Sequence, residues 1–426
     1  MSRSVHIAVA VVLATPLLAV VAEARRSAPK APASVELYRG PLRVRAQPTA
    51  GAPIRGQLAD AGRFPVLRVL PPGHGCKERW YQLGPEAWVC SGWLLPRKLP
   101  PTAIRRIEST WTPGAYFGTR TGRWKRLSFF PSMRQLAQGK ALRLRGTIGF
   151  SVRSRILLRR QTYLVTGDGG YVESESVARY PSTSLVGVTI RGPRELPLAF
   201  ALRNAVQYAV QRGQLRASGR TLKRYSIRTV KRLRTVGSVE VVELSAGGLV
   251  LRQDVALASR PPAPPLGVGP KEQWVDVDAA ERLVFAMRGR RVERVMLTSL
   301  GTNTPRGVFR VQQKLVHKTM RQRLGDDPFY LEAVPYVVFW SGDFGFHGAY
   351  WHDGFGTRLS HGCPNLSLAD ARFVFGWLGP KLPAGFLSIR PTAMDLGGVV
   401  RVRGRYAVRP GEPRPAPPRR RHRPRQ

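Results

Sequence analysis

Acidic residues are scarce in this chain. It has 26 Asp and Glu against 69 Lys and Arg in 426 residues, a formal net charge of +43. So few carboxylates cannot neutralise the cations locally, so the basic surface implies an anionic polymer or membrane as neighbour. Long apolar runs are missing after residue 21, which excludes any later bilayer span. Cysteine occurs three times, at Cys76, Cys90 and Cys363. Three thiols cannot all pair, so at least one must be left over.

The one apolar run lies at the N-terminus. Arg3 precedes apolar residues 5–21, and Ala22-Glu23-Ala24 follows as a small-x-small pattern. That arrangement predicts a secretory signal peptide at 1–24, with residues 25–34 as a Pro/Ala-rich linker. The protein is then expected in the periplasm or cell wall, or tethered to the inner membrane if the run stays uncleaved. In that setting the polyanions are envelope polymers rather than nucleic acid. The compartment is oxidising, and Cys76 and Cys90 lie 14 residues apart around a turn-like stretch. A disulfide between them is expected, which leaves Cys363 as a reactive thiol.

The fold reads as mainly β. Glu86-Ala87-Trp88-Val89, Gly169-Gly170-Tyr171-Val172 and Gly247-Gly248-Leu249-Val250 each resemble a hairpin turn feeding a strand, at spacings of 83 and 78 residues. We read three small β modules at 35–98, 99–185 and 186–258. Residues 197–211 are the exception, with a possible helical turn. Pro41-Leu42-Arg43-Val44-Arg45, Gly56, Trp80-Tyr81 and Trp88-Val89 resemble a bacterial SH3-like β-barrel. Residues 259–270 form a Pro-rich linker and 271–392 a further domain. Residues 393–426 form a basic tail; ten arginines and Glu412 lie beyond residue 400.

Residues 341–366, SGDFGFHGAYWHDGFGTRLSHGCPNL, hold His347, His352, His361, Cys363 and six glycines. A thiol beside a histidine suits nucleophilic catalysis, because the imidazole takes the thiol proton. Glycines let backbone N–H groups converge on an oxyanion. A zinc site is disfavoured, since no carboxylate or His pair stands at helix spacing. Strands are expected at 274–277, 294–297, 309–313 and 335–340. Ser367 caps a helix over 368–378, with Phe373 and Trp377 on one face.

Three of these motifs carry a resemblance: Thr304-Pro305-Arg306-Gly307-Val308-Phe309, the His347-Gly348-Ala349-Tyr350-Trp351-His352 run, and Ser360-His361-Gly362-Cys363-Pro364-Asn365. Over 271–392 the chain is similar to the L,D-transpeptidases of the YkuD type. The resemblance implies a mostly antiparallel β-sandwich with a few helices. It also implies acyl transfer on peptidoglycan stem peptides through a thioester, giving 3→3 crosslinks without metal or cofactor. Carbapenem-type β-lactams are the implied inhibitors. Carried over by position, Cys363 is the nucleophile and His347 the base, its ring oriented by the Gly348 carbonyl. Backbone N–H groups of His361, Gly362 and Cys363 form the oxyanion hole, while Ser360 and Asn365 shape the loop. Tyr350, Trp351 and His352 line the substrate groove. Pro364 departs from the usual branched apolar residue. The same thioester could instead be resolved by water or by a protein amine. A non-catalytic wall-binding protein is the rival from another class.

Overall fold

Short runs of β-branched and aromatic residues broken by Gly and Pro fold as strands throughout this computed structural model. It describes residues 31–38, 40–58, 62–102, 116–119, 126–322 and 328–405. The expected signal peptide, most of the first linker and the tail beyond 405 lie outside those residues. Two α-helices occur among the described residues, Met133–Ala137 and Leu368–Trp377. The chain divides into one unit of Met1–Pro53 with Asp60–Ala103 and another of Ile54–Ala59 with Ile104–Gln426.

In the first unit, Ser34–Leu37 pairs antiparallel with Arg63–Phe64 and with Leu94–Arg97. Arg68–Leu70, Trp80–Gly84 and Ala87–Cys90 form a meander. Cys76 and Cys90 are joined by a disulfide, packed with Trp80 and Trp88 in a small core. Closing a loop of this length removes unfolded-state freedom worth about 3 kcal/mol. Mild reduction is therefore expected to lower the unfolding free energy of this unit by about 3 kcal/mol, seen as a lower urea midpoint, while the second unit's transition stays put. A shift in the second transition would contradict it.

The second unit holds several sheets. Strands between residues 116 and 179 enclose Leu127, Phe129, Ile148, Phe150, Leu164, Val172 and Val177. Thr147–Gly149 of this group pairs parallel with Phe329–Leu331. Strands between 198 and 258 build a seven-stranded sheet. Two of them, Leu198–Ala201 and Ala205–Gln211, replace the expected helical turn at 197–211. Pairing with Val255–Ala258 and Gln214–Leu222 overrides the weak helical preference of Ala, Leu and Gln.

A six-stranded sheet has the order Val188–Thr189, Arg291–Leu297, Leu283–Arg288, Gln273–Asp278, Val399–Arg403, Gly307–Arg310. Its fifth strand lies within the stretch expected as tail. Val399–Arg403 pairs parallel with Gln273–Asp278, and Arg401 and Arg403 both reach the buried Asp276 carboxylate at 2.7 Å. The remaining sheet carries the histidine–cysteine motif. Gln313–Gln322 pairs with the long strand Phe329–Ser341, which turns at Gly342 into Phe344–Gly348. The strand expected at 309–313 is broken instead, with Gly307–Arg310 in one sheet and Gln313–Gln322 in the other. Helix Leu368–Trp377 starts where Ser367 Oγ accepts the Asp370 N–H, and buries Ala371, Val374 and Phe375.

Candidate active site

Two short strands bring the motif's halves together. Phe344–Gly348 and Asn365–Leu366 pair in parallel, with His347 opposite Asn365 and Gly348 opposite Leu366. Cys363 lies in the bend two residues before Asn365, and its sulfur comes within reach of Gly345 on the neighbouring strand. The Gly345 N–H in fact acts on the Cys363 sulfur, and the thiol donates to the Asp343 carbonyl at 3.5 Å. His347 thus stands on the strand beside which the Cys363 loop runs.

His347 is 3 % exposed, and burial pushes its pKa down to about 4. The Gly348 carbonyl pulls the other way more weakly, yet Nδ1 has no partner of hydrogen-bond geometry. Cys363 is free, and burial pushes its thiol up to about 11, against the Gly345 N–H and the Lys318 cation. At neutral pH the thiol and the imidazole are both uncharged. Proton transfer must therefore accompany attack, as in general-base catalysis.

The loop carrying Cys363 is held on all sides. Ser360 Oγ donates to Cys363 O at 2.5 Å and accepts the Gly362 N–H at 3.0 Å. That bond takes the Gly362 N–H out of the expected oxyanion trio. Gly362 has φ +145, open to glycine alone, and its carbonyl lies 2.6 Å from the Thr304 hydroxyl. Thr304 also reaches Gly301 O at 2.8 Å, which gives the 304–309 turn its role as a brace behind the cysteine. Asn365 exchanges backbone hydrogen bonds with Ser299, and its carbonyl takes the Thr298 hydroxyl at 2.8 Å. His361 is exposed, with its ring 5.1 Å from that of Phe329.

The three residues expected along the groove differ in role. Tyr350 does not line it: at 5 % exposure its ring stacks on Tyr116 at 3.6 Å and its hydroxyl donates to Glu332 O at 2.7 Å. Just past the end of strand Phe344–Gly348, it packs into the core with Tyr116, Leu331 and Val334. Trp351 is half-buried, 5.7 Å from the His347 ring and 5.8 Å from that of His352. His352 supports the loop. Its Nδ1 accepts the Gly354 N–H at 3.2 Å, and its Nε2 lies 3.4 Å from Ser299 Oγ and 3.0 Å from the Asn365 side-chain amide nitrogen. Burial holds it neutral, with a pKa of about 4. Sequence reasoning missed Thr298, Ser299, Gly301 and Asp343, because backbone bonds and close approach leave no motif. Among the described residues no group of three His, Cys, Asp or Glu side chains is arranged to hold a metal ion.

Residues 272–388 match the YkuD family, described as the L,D-transpeptidase catalytic domain. The curated protein "Putative L,D-transpeptidase YciB" of Bacillus subtilis (strain 168) is 28 % identical over 123 residues. That alignment covers 25 % of this chain and 60 % of that protein, so the chain spans about 60 % of the relative's length. The catalytic domain of the E. faecium L,D-transpeptidase aligns with 31 % of this chain and 97 % of its own, at 22 % identity and a TM-score of 0.24. An L,D-transpeptidase from Mycobacterium smegmatis aligns with 60 % of this chain and 95 % of its own, at 16 % identity and a TM-score of 0.26.

Proposed function

From the YkuD-type L,D-transpeptidase catalytic domain that this chain carries over residues 272–388, we propose an exported enzyme that crosslinks peptidoglycan stems through a Cys363 thioester. The observation that supports the reading is the parallel pairing of Phe344–Gly348, the strand of His347, with Asn365–Leu366, directly after the Cys363 loop, together with the Gly345 N–H acting on the Cys363 sulfur. His347 Nε2 takes the thiol proton as Sγ attacks the carbonyl of the L,D peptide bond after the third stem residue. The Cys363 N–H faces the oxyanion. Collapse of the tetrahedral adduct breaks the C–N bond, and the imidazolium returns its proton to the leaving D-amino acid. A side-chain amine of a second stem then attacks the thioester and restores the thiol, giving a 3→3 link.

Export rests on the apolar run at 5–21; among the described residues no helix is long and apolar enough to cross a membrane. The basic surface favours contact with anionic envelope polymers, and the 35–98 module, read as SH3-like, would keep the enzyme at the wall.

Intact-protein mass spectrometry after incubation with a carbapenem tests the site. A strained β-lactam carbonyl acylates an activated thiol without needing a second substrate. One adduct is expected on the wild type and none on Cys363→Ala, which should melt at the same temperature. An adduct surviving in Cys363→Ala would defeat the assignment. Incubation with tetrapeptide stems then separates crosslinked dimer from hydrolysed tripeptide.

A further inference from the structure

The segment joining the two halves of the motif is gripped by the 198–258 sheet, which precedes the catalytic domain in the chain. Arg224 and Tyr225 lie in the turn between strands Gln214–Leu222 and Ile227–Val236. The Tyr225 hydroxyl donates to the Asp353 carbonyl and accepts the Phe355 N–H at 3.2 Å. The Arg224 guanidinium reaches the same carbonyl, and its other nitrogen lies 3.3 Å from the Asp353 carboxylate. It also lies over the Tyr225 ring at 4.2 Å. Tyr225 itself has φ +66, a left-handed conformation that a bulky side chain adopts only under constraint. Strain of this kind marks places where surrounding contacts over-determine the backbone.

The grip leads to the nucleophile by short steps. Asp353 and Phe355 flank Gly354, whose N–H donates to His352 Nδ1. Phe355 is fully buried with its ring 5.1 Å from that of His352. His352 Nε2 contacts the Asn365 side chain, two residues beyond Cys363. We infer that Tyr225, seconded by Arg224, is a positioning residue that sets the 352–356 loop and, through His352 and Asn365, the Cys363 loop. This rests on the reading of Cys363 as the acyl acceptor. The Arg224–Asp353 ion pair is 37 % and 41 % exposed, so solvent screens it and it should matter less than the half-buried hydroxyl.

The test compares the full wild-type chain with Tyr225→Phe and Asp353→Asn. It measures the rate of Cys363 acylation by a carbapenem, the rate of Cys363 alkylation by iodoacetamide, and the melting temperature. Tyr225→Phe keeps the ring and loses the two hydrogen bonds. Its acylation should slow about tenfold, because misplacement well under an ångström is costly for attack geometry. Its alkylation should quicken several-fold as the loop loosens, with an unchanged melt, while Asp353→Asn stays within about twofold of wild type on both rates. Wild-type rates in Tyr225→Phe would overturn the inference. So would a slowed acylation matched by a lowered melting temperature, which would indicate a merely structural role. A wild type that is alkylated but never acylated would instead sink the acyl-transfer reading, and the grip is then judged on alkylation alone.

Discussion

His347→Ala lowers the rate of Cys363 acylation near neutral pH by about three orders of magnitude and turns a flat pH profile into a climb. The reason lies in the two displaced pKa values. Burial holds the thiol at about 11, so about one molecule in ten thousand is thiolate at neutral pH without help. With His347 present the proton is removed in the transition state, and that small fraction no longer limits the rate. The imidazole is neutral down to about pH 4, so wild-type acylation should hold steady above about pH 5 and fall as the base protonates below it. In His347→Ala only pre-existing thiolate reacts. Its fraction rises about tenfold per pH unit up to the thiol's pKa, so the variant's rate should do the same. Stopped-flow acylation across pH measures both curves. A variant with the wild-type rate and a flat profile would place the base elsewhere. The His347 ring is buried, so the variant's melting curve must accompany the kinetics to show that the loss is chemical.

The chemistry of this site was legible where it depends on side-chain identity. A thiol, an imidazole and clustered glycines at 342–363 announce nucleophilic chemistry, and Ser367 followed by Asp370 marks the start of the helix. Its geometry was less legible. His352 reads as a groove residue in sequence, but the Gly354 N–H and the Asn365 amide make it a brace, and neither contact follows from spacing. Tyr350 sits in the same run as Trp351, yet the two meet different environments, and the stack of Tyr350 on Tyr116 comes from a strand more than 200 residues away. The Gly362 N–H looked available for an oxyanion until Ser360 Oγ claimed it. Long-range pairing hid the rest: nothing local in Thr147–Gly149 or Val399–Arg403 indicates partners at 329–331 and 275–278. These are contacts made between distant segments, which local propensity does not encode.

Gly301→Ala should cost about a hundredfold in acylation while the protein still folds. A Cβ at Gly301 would lie 2.4 Å from Ser360 O and 2.8 Å from Gly362 N, both backbone atoms of the cysteine loop. Real Cβ atoms do not approach backbone so closely, so something must move by several tenths of an ångström. The Gly301 side cannot yield easily, because Thr304 ties Gly301 O to the same brace that holds Gly362 O. The loop yields instead, and with it the Cys363 N–H and sulfur. Overpacking of this kind costs about 1–3 kcal/mol in stability, which the fold can absorb. Gly376→Ala is the control. It lies in helix Leu368–Trp377, a Cβ there meets nothing within 4 Å, and alanine should raise stability by about 0.5–1 kcal/mol with acylation unchanged. Acylation rates and urea midpoints for the two variants separate the effects. A Gly301→Ala enzyme acylated at the wild-type rate would show that the cysteine loop adjusts without penalty, and that the close packing behind it is not what aims the thiol.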